Sequence, residues 1–255
     1  MKILKTILLF LCITTISNAQ NDFKYSLKGI KKVTISTETK VLINTGTTNE
    51  LLINCNSCSV NNNNESRGLK AIYANGNDDT GFGMSLERNG DVLIIKDLKS
   101  FMKRKKITFT LPKTIIISIE CGNLGEAKIE NFSSEVIVNS NIGQIDLINI
   151  TGPITAFSNT GSINAIFITV NQNEPISIRS NTGNVDVSLP ENTNADLVLK
   201  SNMGSVYSNF DIKIEEKDGM KTIGNNRIIK NKLNNGGVKI TLSSNIGNVY
   251  LRKKE

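Results

Sequence analysis

The chain has 255 residues, of which 38% are hydrophobic and only 5% aromatic, and its formal net charge is +7. It contains no histidine and no tryptophan, which excludes histidine-based catalysis, histidine-ligated metal and a core built on large aromatic anchors. The 35 asparagines and 19 glycines instead indicate a chain rich in turns.

Residues 1–19 have the features of a signal peptide. Lys2 and Lys5 form a short basic region, residues 7–13 form an apolar run, and Ser17-Asn18-Ala19 supplies the small residues that signal peptidase reads. We expect cleavage after residue 19 and export of a mature chain with a net charge of +5. The apolar run is far shorter than the roughly 20 residues that cross a bilayer, which disfavours the alternative of an N-terminal anchor. No other stretch is long and apolar enough, so we expect no membrane span in the mature chain.

The charge and the cysteines of the mature chain limit its partners. A net charge of +5 is only mildly basic, so we expect no nucleic-acid partner. Three cysteines remain after cleavage, an odd number for an oxidising compartment. The spacing of Cys55 and Cys58 allows a local disulfide, and the state of Cys121 stays open. A redox or zinc role is disfavoured because no second ligand pair accompanies them, so we expect no metal and no cofactor.

Residues 20–112 are predicted to form an irregular β region that is continuous with the repeats that follow. Short runs with alternating apolar residues are separated by turn-forming residues. These runs are Lys32–Ser36, Lys40–Asn44, Glu50–Asn54, Asp91–Ile95 and Ile107–Leu111.

Residues 113–255 contain an internal repeat that is marked by the sequence Asn-x-Gly. The glycines are separated by 18, 18, 22, 21 and 43 residues, and the last spacing is about two periods. Such a period is typical of a solenoid. The six repeats lie at Asn123 and Gly125, Asn141 and Gly143, Asn159 and Gly161, Asn181 and Gly183, Asn202 and Gly204, and Asn245 and Gly247.

Apolar residues recur at fixed offsets from these glycines. At positions 7 and 5 before the glycine and 2 and 4 after it, nineteen of twenty residues in the later five repeats are apolar. This pattern predicts two strands per repeat on either side of a tight corner, and therefore a single all-β solenoid of stacked, two-sided coils of about 18–22 residues. In the first repeat a shift of one residue is needed to bring Ile117 and Ile119 inward, which predicts a bulge or a cap. The stretch 207–237 interrupts the repeat as an irregular excursion.

The corner residues have a structural interpretation. Glycine accepts the positive φ that a sharp corner requires, and asparagine can stack on the asparagine of the next coil. We therefore predict an asparagine ladder along one edge of the solenoid. The rival fold, an antiparallel sandwich, has no reason to keep one corner sequence at near-constant spacing.

One outward column of residues is a candidate binding face. It lies three residues after the corner glycines and includes Asp146, Asn164 and Asp186. Two carboxylates with an amide between them could hold a sugar or a cation weakly, and the alternative is the solvated face of a strand. No nucleophile elbow, phosphate loop or metal-ligand spacing is present, and we predict no catalytic residues.

Residues 111–255 also resemble a known bacterial family. Leu111-Pro112-Lys113 leads into the strands, the Ser-Asn-x-Gly-x-Ile/Val corners follow in series, and a closing coil runs from Gly236 to Gly247. These features are similar to those of the bacterial "putative adhesin" family, a β-solenoid domain of unknown molecular function that is akin to the head domain of auto-transporter adhesins. The resemblance implies the fold and brings no catalytic residues with it.

We therefore predict an exported, single-domain β-solenoid that acts as a non-enzymatic, adhesin-like binding or surface module. Its expected location is the periplasm, the cell surface or the exterior, and its expected partner is a glycan or a cell-envelope component. Two alternatives remain, an enzyme that acts on envelope or extracellular glycans and a purely structural envelope scaffold. A carboxylate pair that faces a groove would favour the enzyme.

Overall fold

The computed structural model describes residues 22–55, 69, 72–81, 83–98, 106–123, 125–212 and 228–254. The expected signal peptide at residues 1–19 lies outside these residues. In the described part the chain forms strands and turns without a helix, which confirms the predicted all-β class. It follows that these residues include no helix with the length and apolar character needed to span a membrane.

The described strands form two large sheets and one small hairpin. In chain order they are β1 Asp22–Ser26, β2 Lys32–Thr37, β3 Lys40–Gly46, β4 Glu50–Asn54, β5 Ile72–Tyr73, β6 Gly76–Asn77, β7 Met84–Asn89, β8 Val92–Asp97, β9 Lys106–Pro112, β10 Ile116–Cys121, β11 Ala127–Glu130, β12 Val136–Ile142, β13 Ile145–Ile150, β14 Ile154–Thr160, β15 Ile163–Phe167, β16 Ile176–Thr182, β17 Val185–Leu189, β18 Ala195–Ser201, β19 Val206–Ser208, β20 Ile228–Leu233, β21 Val238–Ile246 and β22 Val249–Lys253. Sheet 1 has the order β1-β4-β9-β3-β11-β13-β15-β17-β22-β19, and sheet 2 has the order β20-β18-β21-β16-β14-β12-β10-β2-β8-β7. The hairpin pairs β5 with β6.

The repeating unit is a coil, which runs along a strand of sheet 2, turns a corner and returns along a strand of sheet 1. Each strand pairs in parallel with the equivalent strand of the neighbouring coil, so that Val136 lies beside both Ile117 and Ile154. Neighbouring strands in such a ladder are about 4.8 Å apart. This is the stacked, two-sided solenoid that the repeat predicts.

The core lies between the two sheets and consists of small aliphatic layers. Along β12 the inward residues Val136 and Val138 are fully buried, and along β13 the inward residues are Ile145 and Leu147. The alternation of one buried and one outward residue follows from the pleat of a strand. Because each coil covers the apolar layer of the next, the layers are shielded by stacking along the axis of the solenoid.

The order of the coils in space differs from their order in the chain at both ends. Among the described residues the coils stack as 92–112, 32–46, 116–130, 136–150, 154–167, 176–189, 238–253 and 195–208. The coil 238–253 therefore lies between two coils that precede it in the chain. At the other end the coil 32–46 lies between two coils that follow it. Apart from β5 and β6, the described strands of residues 20–112 thus belong to the same two sheets as the repeats.

Among the described strands, antiparallel strands form three of the four outer edges of the two large sheets. After β19 the chain crosses to the far side of β18, where β20 pairs with β18 in antiparallel orientation, and only then returns to form β21. At the opposite end β4 and β1 extend sheet 1, and β7 extends sheet 2, also by antiparallel pairing. Of the predicted excursion at 207–237, the first two residues belong to β19, residues 228–233 form β20, and residues 213–227 lie outside the described part. The antiparallel strands cover three edges of the parallel stack, and β1, β7 and β20 are themselves the outermost strands of the sheets.

The first repeat has the predicted one-residue shift. Ile117 and Ile119 point into the core and pair with Val136 and Val138. The next inward position is taken by Cys121, which pairs with a serine of the following coil. The corner glycine lies four positions after this cysteine but only three positions after the paired serine, so the first corner contains one extra residue.

Candidate binding face

The six corner asparagines form one continuous column of side-chain hydrogen bonds. In each case the amide nitrogen of one asparagine donates to the amide oxygen of its neighbour. The donors and acceptors are Asn141 to Asn123, Asn159 to Asn141, Asn181 to Asn159, Asn245 to Asn181 and Asn202 to Asn245, over 2.5 to 3.2 Å. The column follows the spatial order of the coils, so Asn245 lies between Asn181 and Asn202.

The serines before these asparagines form a second, inward column. Each hydroxyl donates a hydrogen bond to the carbonyl oxygen of the corner glycine in the neighbouring coil, over 2.7 to 3.2 Å. The serines are Ser140, Ser158, Ser180, Ser244 and Ser201, and all are buried. Their recurrence is visible in the sequence, but their role depends on the stacking and was missed.

The corner glycines are required by close packing as well as by backbone conformation. Gly143, Gly161, Gly183 and Gly247 have positive φ values between 143° and 151°. Gly125 and Gly204 do not, so the expectation of a positive φ at every corner is wrong for these two. A Cβ atom on Gly204 would still lie 2.2 Å from the carbonyl oxygen of Gly247, closer than real atoms approach. Only glycine allows the corners to stack this tightly.

The candidate column Asp146, Asn164 and Asp186 lies on three neighbouring strands of sheet 1. The Asp146 carboxylate accepts hydrogen bonds from Gln144, over 2.7 Å, and from the Asn164 amide, over 2.9 Å. Asp186 binds the guanidinium of Arg252 with two hydrogen bonds of 2.8 and 2.9 Å. Both carboxylates are thus engaged within the fold, and the described residues contain no cluster of three acidic or cysteine side chains that could hold a metal. The arrangement fits a structural role better than a cation site.

An aromatic pair continues the same column toward the C-terminal end of the stack. The rings of Tyr250 and Tyr207 are stacked with their centroids 5.2 Å apart, and the guanidinium of Arg252 lies 5.1 Å from the centroid of Tyr250. The hydrogen bonds and the charge of Asp186 raise the pKa of Arg252 above its usual value. This end of sheet 1 is therefore held together by an ion pair, a cation–π contact and ring stacking.

A shallow depression lies on the outward face of sheet 2, beside the asparagine column. Its volume is about 170 Å³. One row of residues crosses it on four neighbouring strands, in the order Phe157, Arg179, Ser243 and Lys200. The short Ser243 side chain forms the floor between two long cationic side chains, and Asn181, Asn245 and Asn202 border it.

Sequence reasoning missed this row, although its signal is simple. All four residues lie four positions before a corner glycine. Read in chain order, the column would place Arg179 directly beside Lys200. The insertion of the coil 238–253 places Ser243 between them instead, so the depression depends on the order of the coils in space.

The cysteines occupy two different environments. Cys55 is in a disulfide, and Cys58, its predicted partner, lies outside the described residues. Cys121 is a free thiol and is 4% exposed. Burial, with a smaller effect of the negative charges of Glu120 and Glu38, raises the pKa of Cys121 to about 12. The thiol is therefore protonated at neutral pH and unsuited to redox or nucleophilic chemistry.

Comparison with known proteins identifies a family for the repeats. The family model described as Toastrack DUF4097 matches residues 121–252, about half of the chain. The match begins at the last residue of β10 and ends inside β22, so it covers the Asn-x-Gly coils. No curated protein matches the chain.

Two solved structures are similar to the chain in fold. One, from Clostridium sporogenes, is named a "putative cell adhesion protein"; it has 14% identity and a TM-score of 0.45, and the match covers 91% of this chain and 99% of the other. The second, from Bacteroides fragilis, is named a "putative adhesin"; it has 15% identity and a TM-score of 0.41, with 91% and 96% covered. Likeness at this level carries no argument about function.

Proposed function

The chain belongs to the Toastrack DUF4097 family, and on that premise we propose that it is an exported, non-enzymatic β-solenoid that binds an extended glycan or cell-envelope component in the manner of an adhesin. The binding surface is the asparagine column together with the outward face of sheet 2.

The observation that carries this proposal is the column of asparagine amides. Each amide has two N–H donors and one carbonyl acceptor, and the column uses only one donor per side chain. The hydrogen bonds of the column are exposed, so the second N–H of each amide is available to a ligand at a repeat of about 4.8 Å. A polymer with a repeating polar unit can form the same weak contact in several coils, and such contacts add through effective concentration.

The non-enzymatic part of the proposal is supported by the way the acidic residues are used. Glycan hydrolysis requires two carboxyl groups roughly 5 to 9.5 Å apart across a cleft. In the candidate column Asp186 is bound by Arg252, and Asp146 accepts two amide hydrogen bonds. The depression on sheet 2 is about 170 Å³ and is smaller than the roughly 300 to 1,000 Å³ of an enclosed small-molecule pocket.

Export is supported by two independent features. The N-terminal segment has the basic region, apolar run and small residues of a signal peptide. Cys55 is in a disulfide, a bond that persists in oxidising compartments such as the periplasm or the exterior.

The test is a binding screen of the protein from residue 20 onward against an array of glycans and envelope components. Asn159→Ala removes one amide from the column and is expected to weaken binding about two- to tenfold, the value of one hydrogen bond. Asn149→Gly is the matched control, because Asn149 forms a similar amide hydrogen bond to Asn131 away from the column and has a positive φ that glycine accepts. Its binding is expected to stay unchanged. Failure of the wild-type protein to bind any polymer, or release of shortened glycan chains during incubation, would contradict the proposal.

A further inference from the structure

The depression on sheet 2 carries positive charge that no ion pair among the described residues neutralises. Arg179 and Lys200 lie on strands that flank β21, roughly 10 Å apart at two strand spacings. In the described residues neither side chain forms an ion pair, whereas Arg252, Lys253 and other exposed cations do. Two unpaired cations on either side of a small floor residue form a site for an anion.

Among the described residues, the carboxylates nearest to this row on the face are too far away to occupy the site. In the row that crosses the depression, Glu120 lies three strands from Arg179 and accepts a hydrogen bond from the amide of Asn139, over 2.8 Å. Asp196 lies four residues from Lys200 along β18 and next to Gly236. Within the described part of the chain, the charge over Ser243 is therefore open to an external anion. A guanidinium can hold a carboxylate with two parallel hydrogen bonds, and the lysine adds a point charge.

The other borders of the depression match a sugar ring. The Phe157 side chain lies next to Arg179 on the outward face and is 41% exposed, so its ring offers an apolar surface to the C–H face of a sugar. On the border that the asparagine column forms, the amides of Asn181 and Asn245 can donate to hydroxyl groups. The volume of about 170 Å³ leaves room for one sugar unit of a polysaccharide that continues in both directions along the face.

We propose that this depression binds a carboxylate-bearing sugar unit of an acidic polysaccharide. The inference rests on the proposed function, because it assigns a ligand class to the same binding face. The carboxylate lies between Arg179 and Lys200 over Ser243, the sugar ring lies against Phe157, and the asparagine column contacts the hydroxyl groups of the units beyond.

The experiment measures binding of the protein from residue 20 onward to polygalacturonate, alginate and hyaluronate. Methyl-esterified polygalacturonate is the ligand control, because it keeps the sugar ring and loses the charge, and inorganic polyphosphate keeps charge without a sugar ring. We expect at least one acidic polysaccharide to bind, and we expect its binding to weaken at higher salt. If polygalacturonate is that ligand, its methyl ester should bind at least tenfold more weakly.

The variants separate this site from a general effect of charge. Arg179→Gln combined with Lys200→Gln is expected to weaken binding of the acidic polysaccharide at least tenfold, and Phe157→Ala severalfold. Lys24→Gln combined with Lys28→Gln removes the same charge from exposed positions at the far end of the stack and is expected to have no effect. All variants change outward residues, and thermal unfolding confirms that each is folded.

The outcomes distinguish the two proposals. If the protein binds polymers on the array but binds none of the acidic polysaccharides, or binds the ester as tightly as the acid, the site assignment is wrong and the proposed function stands. Equal losses of binding in the two double variants would also overturn the assignment. So would a Phe157→Ala variant that binds both polyphosphate and the polysaccharide as tightly as the wild-type protein does. If no polymer binds at all, the proposed function itself fails.

Discussion

The Ser180 hydroxyl donates a hydrogen bond of 2.9 Å to the carbonyl oxygen of Gly161 in the neighbouring coil. The same bond recurs at five corners, always on the inner side of the asparagine column. Each corner is thus held to the next by an inward hydroxyl and an outward amide. The recurring Ser-Asn-x-Gly sequence is explained by these two contacts and by the close approach of the glycines.

Ser180→Ala tests the inner column. The substitution leaves the carbonyl of Gly161 without its hydroxyl partner in a partly buried position, and we expect it to lower the free energy of unfolding by about 1 to 3 kcal/mol. Ser177→Ala is the control, because Ser177 lies on the outward face of the same strand, and its effect is expected to stay within about 0.5 kcal/mol. Urea denaturation of both variants measures the difference. Equal losses would show that the hydroxyl bond contributes nothing specific.

Gly161→Ala tests the close approach of the corners. The added Cβ atom would lie 2.1 Å from the carbonyl oxygen of Gly143, so the stack must open at this corner. We expect a loss of about 3 kcal/mol or more. Gly81 also has a positive φ but has open space around it, and Gly81→Ala is expected to cost only the backbone strain of roughly 1 to 2 kcal/mol. Thermal unfolding compares the two, and a similar loss in both would mean that conformation alone requires the corner glycines.

The sequence predicts the features that are local to each coil. Inward residues, corners and the shift at Ile117 follow from a period-2 pattern on either side of Asn-x-Gly, and each can be read from about twenty residues. Cys121 also follows this logic, since it takes the inward position that serine has in the later coils.

The sequence does not predict which coils become neighbours. The coils 195–208 and 238–253 have the same corner and equivalent apolar layers, so either could pair with the coil 176–189 by pattern alone. In the structure β20 occupies the outer edge of β18, and β21 occupies its inner edge. The depression between Arg179 and Lys200 was therefore beyond sequence reasoning, because its floor comes from the inserted coil.

The buried thiol predicts a pH dependence of stability. The pKa of Cys121 is raised from an ordinary value near 9 to about 12, mainly by burial. Between these values the unfolded chain loses the thiol proton and the folded chain keeps it. This contribution to stability is therefore complete below pH 9 and is lost as the pH rises toward 12, by at most about 1.4 kcal/mol per pH unit.

Two measurements check the state of Cys121. In the native protein at pH 8 iodoacetamide is expected to leave the thiol unmodified, and in denaturant the thiol is expected to react fully. Cys121→Ala removes the titrating group, so its stability should decline less steeply than that of the wild type between pH 9 and 10.5. Rapid native alkylation, or identical slopes, would contradict the burial of a protonated thiol.

The inserted coil predicts how the C-terminal end of the solenoid responds to truncation. The strands of the coil 195–208 pair with β21 and β22 on their inner side, and only β18 has a second partner, β20. In a stack whose coils contact only their neighbours, removal of one coil removes the packing and the strand pairing of the coil that lies beyond it. Deletion of residues 234–255 is therefore expected to unfold the coil 195–208 locally while the coils 136–150 and 154–167 stay folded.

Hydrogen exchange with peptide resolution measures this directly. In the truncated protein, amides of residues 195–212 should exchange at least a hundredfold faster than in the full chain, and amides of β12 to β15 should keep their protection. A chain that lacks only residues 254 and 255 is the control, because it keeps all of β22 and loses one backbone contact, from Lys254 to Leu189. If residues 195–212 stay protected after the larger deletion, their coil docks directly on the coil 176–189. The inserted coil would then be an addition to a stack that is already complete, and the depression at Ser243 would be the feature that this addition creates.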